Sequence, residues 1–206
     1  HLSNVIGKLK GGGVHEVVCN IYKSQKELNH VPHIWYPGKY SDSDSIRLDN
    51  NVKALETYGN IKFGLVKNIF QKVDQAFNEY DVIHQHGIWM PISIYSNKIG
   101  SRTKVIRLVQ PHGYLEPFCL RLSKMKKLFA YCAYERNNIL NADNIVACSV
   151  NEGLNLKKIF PMKTISIIPN GISSEFYNEP SNKTKKNKGP KKIVYLSQII
   201  PVKGLE

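Results

Sequence analysis

With 206 residues, 42% of them hydrophobic and 22% charged, the chain can bury the core of one α/β domain with an appendage to spare. No apolar run approaches the roughly 18–20 residues of a membrane-spanning helix, and His1-Leu2-Ser3-Asn4 shows no basic region leading into a hydrophobic one, so neither a span nor a signal peptide is read. A formal net charge of +13 favours an anionic partner: nucleic acid, acidic phospholipid or a phosphorylated substrate.

In chain order, Leu2 to Ile6 reads as the tail of a buried first strand, followed by Gly11-Gly12-Gly13. A helix then sets Val14, Val17, Val18, Ile21 and Tyr22 on one face at spacings of three and four. Val31 to Trp35 is the second strand, closed by Pro37-Gly38, and residues 38 to 51 read as a polar loop. Leu65, Ile69, Val73, Ala76 and Phe77 mark the next helix. Asp81 to Gly87 is a third strand with its exit turn, and Pro91 opens a helix. Lys104 to Val109 is a fourth strand ending at Gln110-Pro111-His112-Gly113, after which one long helix runs from about Phe118 to Leu140. Asn144 to Cys148, a short helix over 151–160, and Ile165 to Ile168 complete the pattern, which ends at Pro169-Asn170-Gly171. Strands alternating with helices predict an α/β fold: a Rossmann-like parallel sheet with helices on both faces.

Residues 173–192, with Lys183, Lys185, Lys186, Lys188, Lys191 and Lys192 among Ser, Asn, Thr, Gly and Pro, have the composition of a solvated basic linker. No aromatic side chain interleaves those lysines to stack on bases, which argues against nucleic acid. Ile193 to Gln198 then reads as a new strand, turning at Pro201-Val202-Lys203-Gly204 as a strand does on its way to a phosphate-facing helix. The expectation is a domain over 1–172, the linker, and the first strand and loop of a truncated second domain over 193–206.

Ligands of open α/β sheets bind beyond the carboxyl ends of the strands. Three unusual features fall at such ends: Gly11-Gly12-Gly13, His86-Gly87 and His112-Gly113. The triplet suits close backbone approach to a ligand, yet it is neither a Walker loop nor the dinucleotide fingerprint. His84 and His86 alternate on one strand and so share a face, with His112 the obvious further metal ligand. A satisfied structural histidine is the better reading of His84, and no metal site is expected. His112, after a strand and before a glycine, suits hydrogen bonding to a substrate hydroxyl or accepting a proton. In the 118–140 helix, Arg121, Lys124, Lys126 and Lys127 gather in the first half beside a broad apolar stripe. Cations there oppose the helix dipole, so local stability does not explain them; the two readings are a core-packed helix with a solvated basic face, and a surface for anionic headgroups or a phosphate-bearing acceptor. Cys19, Cys119, Cys132 and Cys148 lack metal-type spacing and read as reduced core thiols of a cytoplasmic protein.

Taken in order, Gly11-Gly12-Gly13, Asp81-Val82-Ile83-His84-Gln85-His86-Gly87-Ile88-Trp89, Pro111-His112-Gly113, Ile168-Pro169-Asn170-Gly171-Ile172 and Leu196-Ser197-Gln198 with Pro201 to Glu206 span nearly the whole chain. In that order they resemble the family 4 glycosyltransferases. The resemblance implies the N-terminal, acceptor-binding half of a GT-B fold, whose second domain holds a nucleotide-diphosphate sugar and whose transfer proceeds with retention and without an essential metal or other cofactor. It implies His112 as the catalytic histidine, Gly11, Gly12, Gly13, His86, Gly113 and Asn170 as cleft residues, and Lys203 as the cation on the departing diphosphate. Gln198 stands where the family usually carries a second cation, which is the best support for an alternative, a non-catalytic module binding anionic ligands or a membrane surface. The stretch Pro111 to Pro117 with its basic helix is most similar to enzymes that build surface polysaccharides or lipopolysaccharide on lipid carriers. That implies a hexose donor, a glycan or lipid-linked acceptor, a bacterial source, and a place at the inner face of the plasma membrane.

Overall fold

Among the described residues, short runs of β-branched and aromatic residues form seven strands, all parallel: β1 (Leu2–Ser3), β2 (Ile34–Pro37), β3 (Val52–Leu55), β4 (Val82–His86), β5 (Ile106–Gln110), β6 (Asn144–Ala147) and β7 (Ile165–Ile167). The computed structural model describes residues 1–3, 8–37, 49–58, 65–68 and 79–172. Contacts along the chain gather His1–Gly171 into one unit and Ile172–Glu206 into another. The expected linker, the strand after it, and with them Gln198 and Lys203, lie outside the described residues.

The sheet order is β3-β2-β1-β4-β5-β6-β7, so the direction of strand addition reverses between β1 and β4. Helices α1 (Lys8–Glu27), α2 (Pro91–Arg102), α3 (Pro117–Arg121), α4 (Lys124–Ala130), α5 (Arg136–Leu140) and α6 (Val150–Ile159) connect the strands. On one face Leu2, Trp35 and Ile83 pack with Ile92, Tyr95 and Ile99 of α2. Further along, Val109, Ile145 and Ala147 pack with Ile139 of α5 and Leu156 of α6. On the opposite face Ile34, Tyr36 and Val52 pack against Val18 and Tyr22 of α1. Burial on both faces is why β2 reads Ile-Trp-Tyr-Pro without alternation. The predicted α/β class, parallel sheet and two-sided helical cover are therefore those observed.

Several local expectations are corrected. The second strand begins at Ile34, not Val31, whose side chain is exposed. Strand β3 falls just past the expected loop, in a stretch given no element from pattern; its four residues lie beside a polar turn and are specified by parallel pairing with β2, Ile34 to Val52 through Pro37 to Leu55. The helix expected from Leu65 does not start there: Leu65 is exposed and Val66 bridges Thr57 in antiparallel fashion. Positions 69–78 lie outside the described residues.

The long helix over 118–140 is three helices. It breaks at Leu122-Ser123, where Ser123 takes a left-handed φ of 53°, and it widens into a π-helical turn at Tyr131–Glu135 before α5. A π turn adds a residue to the ladder and rotates the next helical segment about the axis. Here it carries Glu135 into full burial. Of the four free cysteines only Cys19 is a core thiol; Cys119 and Cys148 are partly buried and Cys132 is exposed.

Candidate active site

The reversal of strand order leaves a crevice between the carboxyl ends of β1 and β4, the place where open α/β sheets hold their ligands. On the β1 side, Gly12 interrupts α1 with φ 48° and ψ −141°, a conformation that favours glycine. Gly12 and Gly13 are exposed, and among the described residues a Cβ on either would meet nothing within 4 Å. Gly11 lies in the same stretch of backbone.

Strand β4 delivers His86 and then Gly87, whose φ of 82° lets its N–H reach Gln110 O at 2.9 Å. The expectation that His86 lines the cleft is corrected. At 1% exposure, with its ring nitrogens 3.0 Å from His1 Nδ1 and 3.1 Å from His112 Nε2, it stands one layer beneath it. Trp89 follows at φ 69°, held by Glu135 Oε2, which accepts from its backbone N–H at 2.8 Å. A bulky residue in the left-handed region is uncommon and clusters at functional sites.

Strand β5 delivers His112 at φ 56° and Gly113 at φ 77°, a two-residue left-handed turn. The His112 ring stacks on His86 with centroids 5.3 Å apart, and its Nδ1 lies 3.5 Å from Cys148 Sγ. Burial lowers the His112 pKa to about 4, so the imidazole is neutral at pH 7 and has one donating and one accepting nitrogen. Burial likewise lowers His84 to about 3 and holds His86 well below the ordinary value. Burial also raises the Cys148 thiol, so it is protonated at neutral pH.

The turn is held in place by Glu152 in the first turn of α6. Its Oε1 accepts from Gly113 N at 2.6 Å and its Oε2 from Cys148 N at 2.7 Å, so one buried carboxylate ties the exits of β5 and β6 together. Ser149 Oγ in turn accepts from Glu152 N at 3.1 Å and caps the helix. Sequence reading missed Glu152, although Ser149-Val150-Asn151-Glu152 carries the capping-box spacing. In the usual box the glutamate returns to its own cap; here it reaches across to a neighbouring loop. Asn170, past β7, is exposed and its side chain lies beside the Cys148 thiol.

The basic segment sits on α3 and α4 next to this turn in sequence. Arg121, Lys124 and Lys126 are exposed; Lys127 instead donates to Cys119 O and lies 6.0 Å from the Trp89 ring, which takes it out of the free surface. Neither α3 nor α4 has a buried residue. Met125 and Phe129 are each 76% exposed, and Phe118, Leu122 and Leu128 are exposed with them. The apolar stripe seen in the sequence therefore faces outward.

The left-handed turns and the histidines thus gather at the switch point of a parallel Rossmann-like sheet. The family model described as Glycosyltransferase Family 4 matches residues 11–176, and the chain belongs to that family. Among solved structures it is similar to Anabaena HepE in complex with UDP and glucose, with TM-score 0.56 and 16% identity over 85% of this chain and 45% of that one. HepE in complex with UDP-glucose gives TM-score 0.54 and 15% identity over the same shares. At that identity the likeness speaks to the fold, and this chain spans somewhat under half the length of those structures. No curated protein matches the sequence.

Proposed function

We propose that this chain is the acceptor-side domain of a retaining glycosyltransferase that moves a hexose from a nucleotide-diphosphate sugar to a cell-surface polysaccharide or lipid-linked glycan. The observation that carries the reading is the neutral imidazole of His112, held at the switch point of a family 4 domain by a turn that Glu152 clamps. A neutral imidazole suits a hydrogen bond to a sugar hydroxyl without placing charge on the reacting carbon. To make it, the ring gives up its contact to Cys148 or to His86. The exposed backbone at Gly12 and Gly13, with Gly113, supplies the wall of the cleft, and Asn170 its far rim. Lys203 neutralises the departing diphosphate, so no metal is needed on that leaving group. The complexes of HepE with UDP, glucose and UDP-glucose support a nucleotide sugar of this type as the donor.

Cations on Arg121, Lys124 and Lys126 beside exposed Met125 and Phe129 make α3 and α4 a surface suited to an anionic bilayer, which would bring the domain to the inner face of the plasma membrane. No helix among the described residues is long and apolar enough to cross one.

The test is transfer by the full-length polypeptide, supplied with membranes or lipid-linked acceptor and a panel of UDP- and GDP-sugars, without added metal. Product from one donor, abolished by His112→Ala with the fold intact, is the expected result. Full activity in a folded His112→Ala protein removes His112 from the mechanism. Donor that neither reacts nor binds sinks the transferase reading and leaves the non-catalytic module.

A further inference from the structure

We infer that His1, His84 and His86 form a binding site for a borderline divalent transition metal, zinc being the best fit, on the face of the sheet opposite α2. The site stands independently of the transfer reading, since it involves neither donor nor acceptor. One ligand atom from each of the three rings lies within 4.8 Å of the other two. The topology brings them together. Leu2 registers with Gln85 and Ser3 with His86, so His1 falls beside His84 across the β1–β4 pair. His84 and His86 are two apart in β4 and share that face, their rings 4.1 Å apart. Strands covered on both faces normally carry aliphatic side chains there, and a cluster of imidazoles, one with an unpartnered nitrogen, is a costly replacement.

The hydrogen bonds divide as they do around ligating histidines. His1 Nε2–H donates to Gln25 Oε1 at 2.8 Å, leaving Nδ1 for the centre of the cluster. His86 turns Nδ1 to His112 and leaves Nε2 facing His1 Nδ1. His84 Nε2 is buried and makes no hydrogen bond of normal geometry among the described residues, although the Gln110 side chain lies beside the ring. An outer hydrogen bond that fixes the ring and tautomer is the usual second layer of a metal site, and a buried nitrogen without a partner is one that a coordinated ion would satisfy. Nitrogens at about 2.0–2.1 Å from zinc stand roughly 3.3 Å from each other, so small ring rotations complete the set. Three imidazole nitrogens, with no carboxylate joining them among the described residues, select zinc, copper or nickel over magnesium or calcium.

Occupancy reaches His112 through His86. Without metal, His1 Nδ1 is bare because Nε2 carries the proton. His86 therefore donates from Nε2 to His1, and its bare Nδ1 accepts from His112 Nε2–H. With metal on His86 Nε2 the order inverts: His86 Nδ1–H donates to His112 Nε2, and His112 carries its proton on Nδ1. Both rings stay neutral and each moves one proton between its own nitrogens.

The test strips the full chain with chelator, titrates it with Co2+ followed by visible absorption, and measures Zn2+ by competition with a chromophoric chelator. The expected result is one equivalent of either metal, untouched by excess Mg2+. His84→Gln and His86→Gln lose it, and Gln25→Ala, on the helix above, weakens it about tenfold as outer-layer changes do. The exposed His30→Gln is the control and binds as wild type does. Nitrogen-15 NMR of the imidazoles then reads His112 shifting from Nε2–H to Nδ1–H on zinc addition. No saturable binding by the wild type, or equal binding by folded His84→Gln, overturns the site. Zinc binding that leaves the His112 tautomer unchanged overturns its coupling to the cleft.

Discussion

Replacing Glu152 by alanine is the sharpest probe of how the His112 turn is made. The carboxylate accepts two backbone N–H groups, Gly113 at 2.6 Å and Cys148 at 2.7 Å, and the side chain is 4% exposed. Alanine strands both donors where water reaches them poorly. Each costs about 1–3 kcal/mol, and alanine also removes the desolvation cost of the buried carboxylate, so the expected net loss is about 3 kcal/mol. Glutamine keeps one accepting oxygen but sets an amide N–H against the second donor, so it falls between. Amide hydrogen exchange separates a local from a general effect. In Glu152→Ala, Gly113 and Cys148 should exchange about 100-fold faster, the equivalent of nearly 3 kcal/mol. Gly87 N–H, which donates to Gln110 O at 2.9 Å, should hold its protection. On the transfer reading, kcat falls further than donor KM rises, because a displaced His112 spoils geometry more than binding. Wild-type exchange rates at Gly113 and Cys148 in the alanine variant would show that the turn holds itself and would refute the clamp.

Gly100→Ala should destabilise the domain although alanine is the better helix former. The new Cβ would sit 1.9 Å from Arg107 Cδ, and Arg107 is fixed by Ser96 and Asn138, so overpacking of about 1–3 kcal/mol outweighs the roughly 1 kcal/mol of propensity gained. A urea midpoint at or above wild type would mean that Arg107 moves freely. Arg107→Ala itself should cost about 3–5 kcal/mol in urea unfolding, because it removes the donors to Ser96 Oγ and Asn138 Oδ1 and leaves a cavity where the buried side chain lay. Asp49 gives a pH dependence. Its hydrogen bond from Lys26 at 2.6 Å lowers its pKa from 3.8 to about 2, so the folded state binds that proton less tightly than the unfolded chain. The contribution is therefore complete above pH 3.8 and lost as pH falls through about 2. Asp49→Asn should cost at most about 1 kcal/mol at neutral pH and match wild type in strong acid, as read from thermal melts. On anionic vesicles, Met125→Ser with Phe129→Ser should release the chain, and binding should fall with salt; retention by the double variant would place the contact elsewhere.

Period and punctuation in the sequence determined the α/β class, the parallel sheet and the loops that would carry ligand chemistry. Those signals are local: a β-branched run that ends in His86-Gly87 or His112-Gly113 says where a strand stops and how the chain leaves it. Gly12, Gly87 and Gly113 do occupy the left-handed region. Signals that depend on partners were not legible. Strand β3 exists because β2 lies beside it, and four residues carry too little pattern of their own. The helix over 118–140 reads as continuous by periodicity, yet packing breaks it at Ser123 and winds a π turn to bury Glu135. Glu152 shows the same limit. Its capping-box spacing is in the sequence, but the Gly113 amide it reaches lies 39 residues away. The histidines show it most clearly. Alternation put His84 and His86 on one face, but His1 joins them only because strand order reverses between β1 and β4, and cross-strand register is a property of the folded sheet alone.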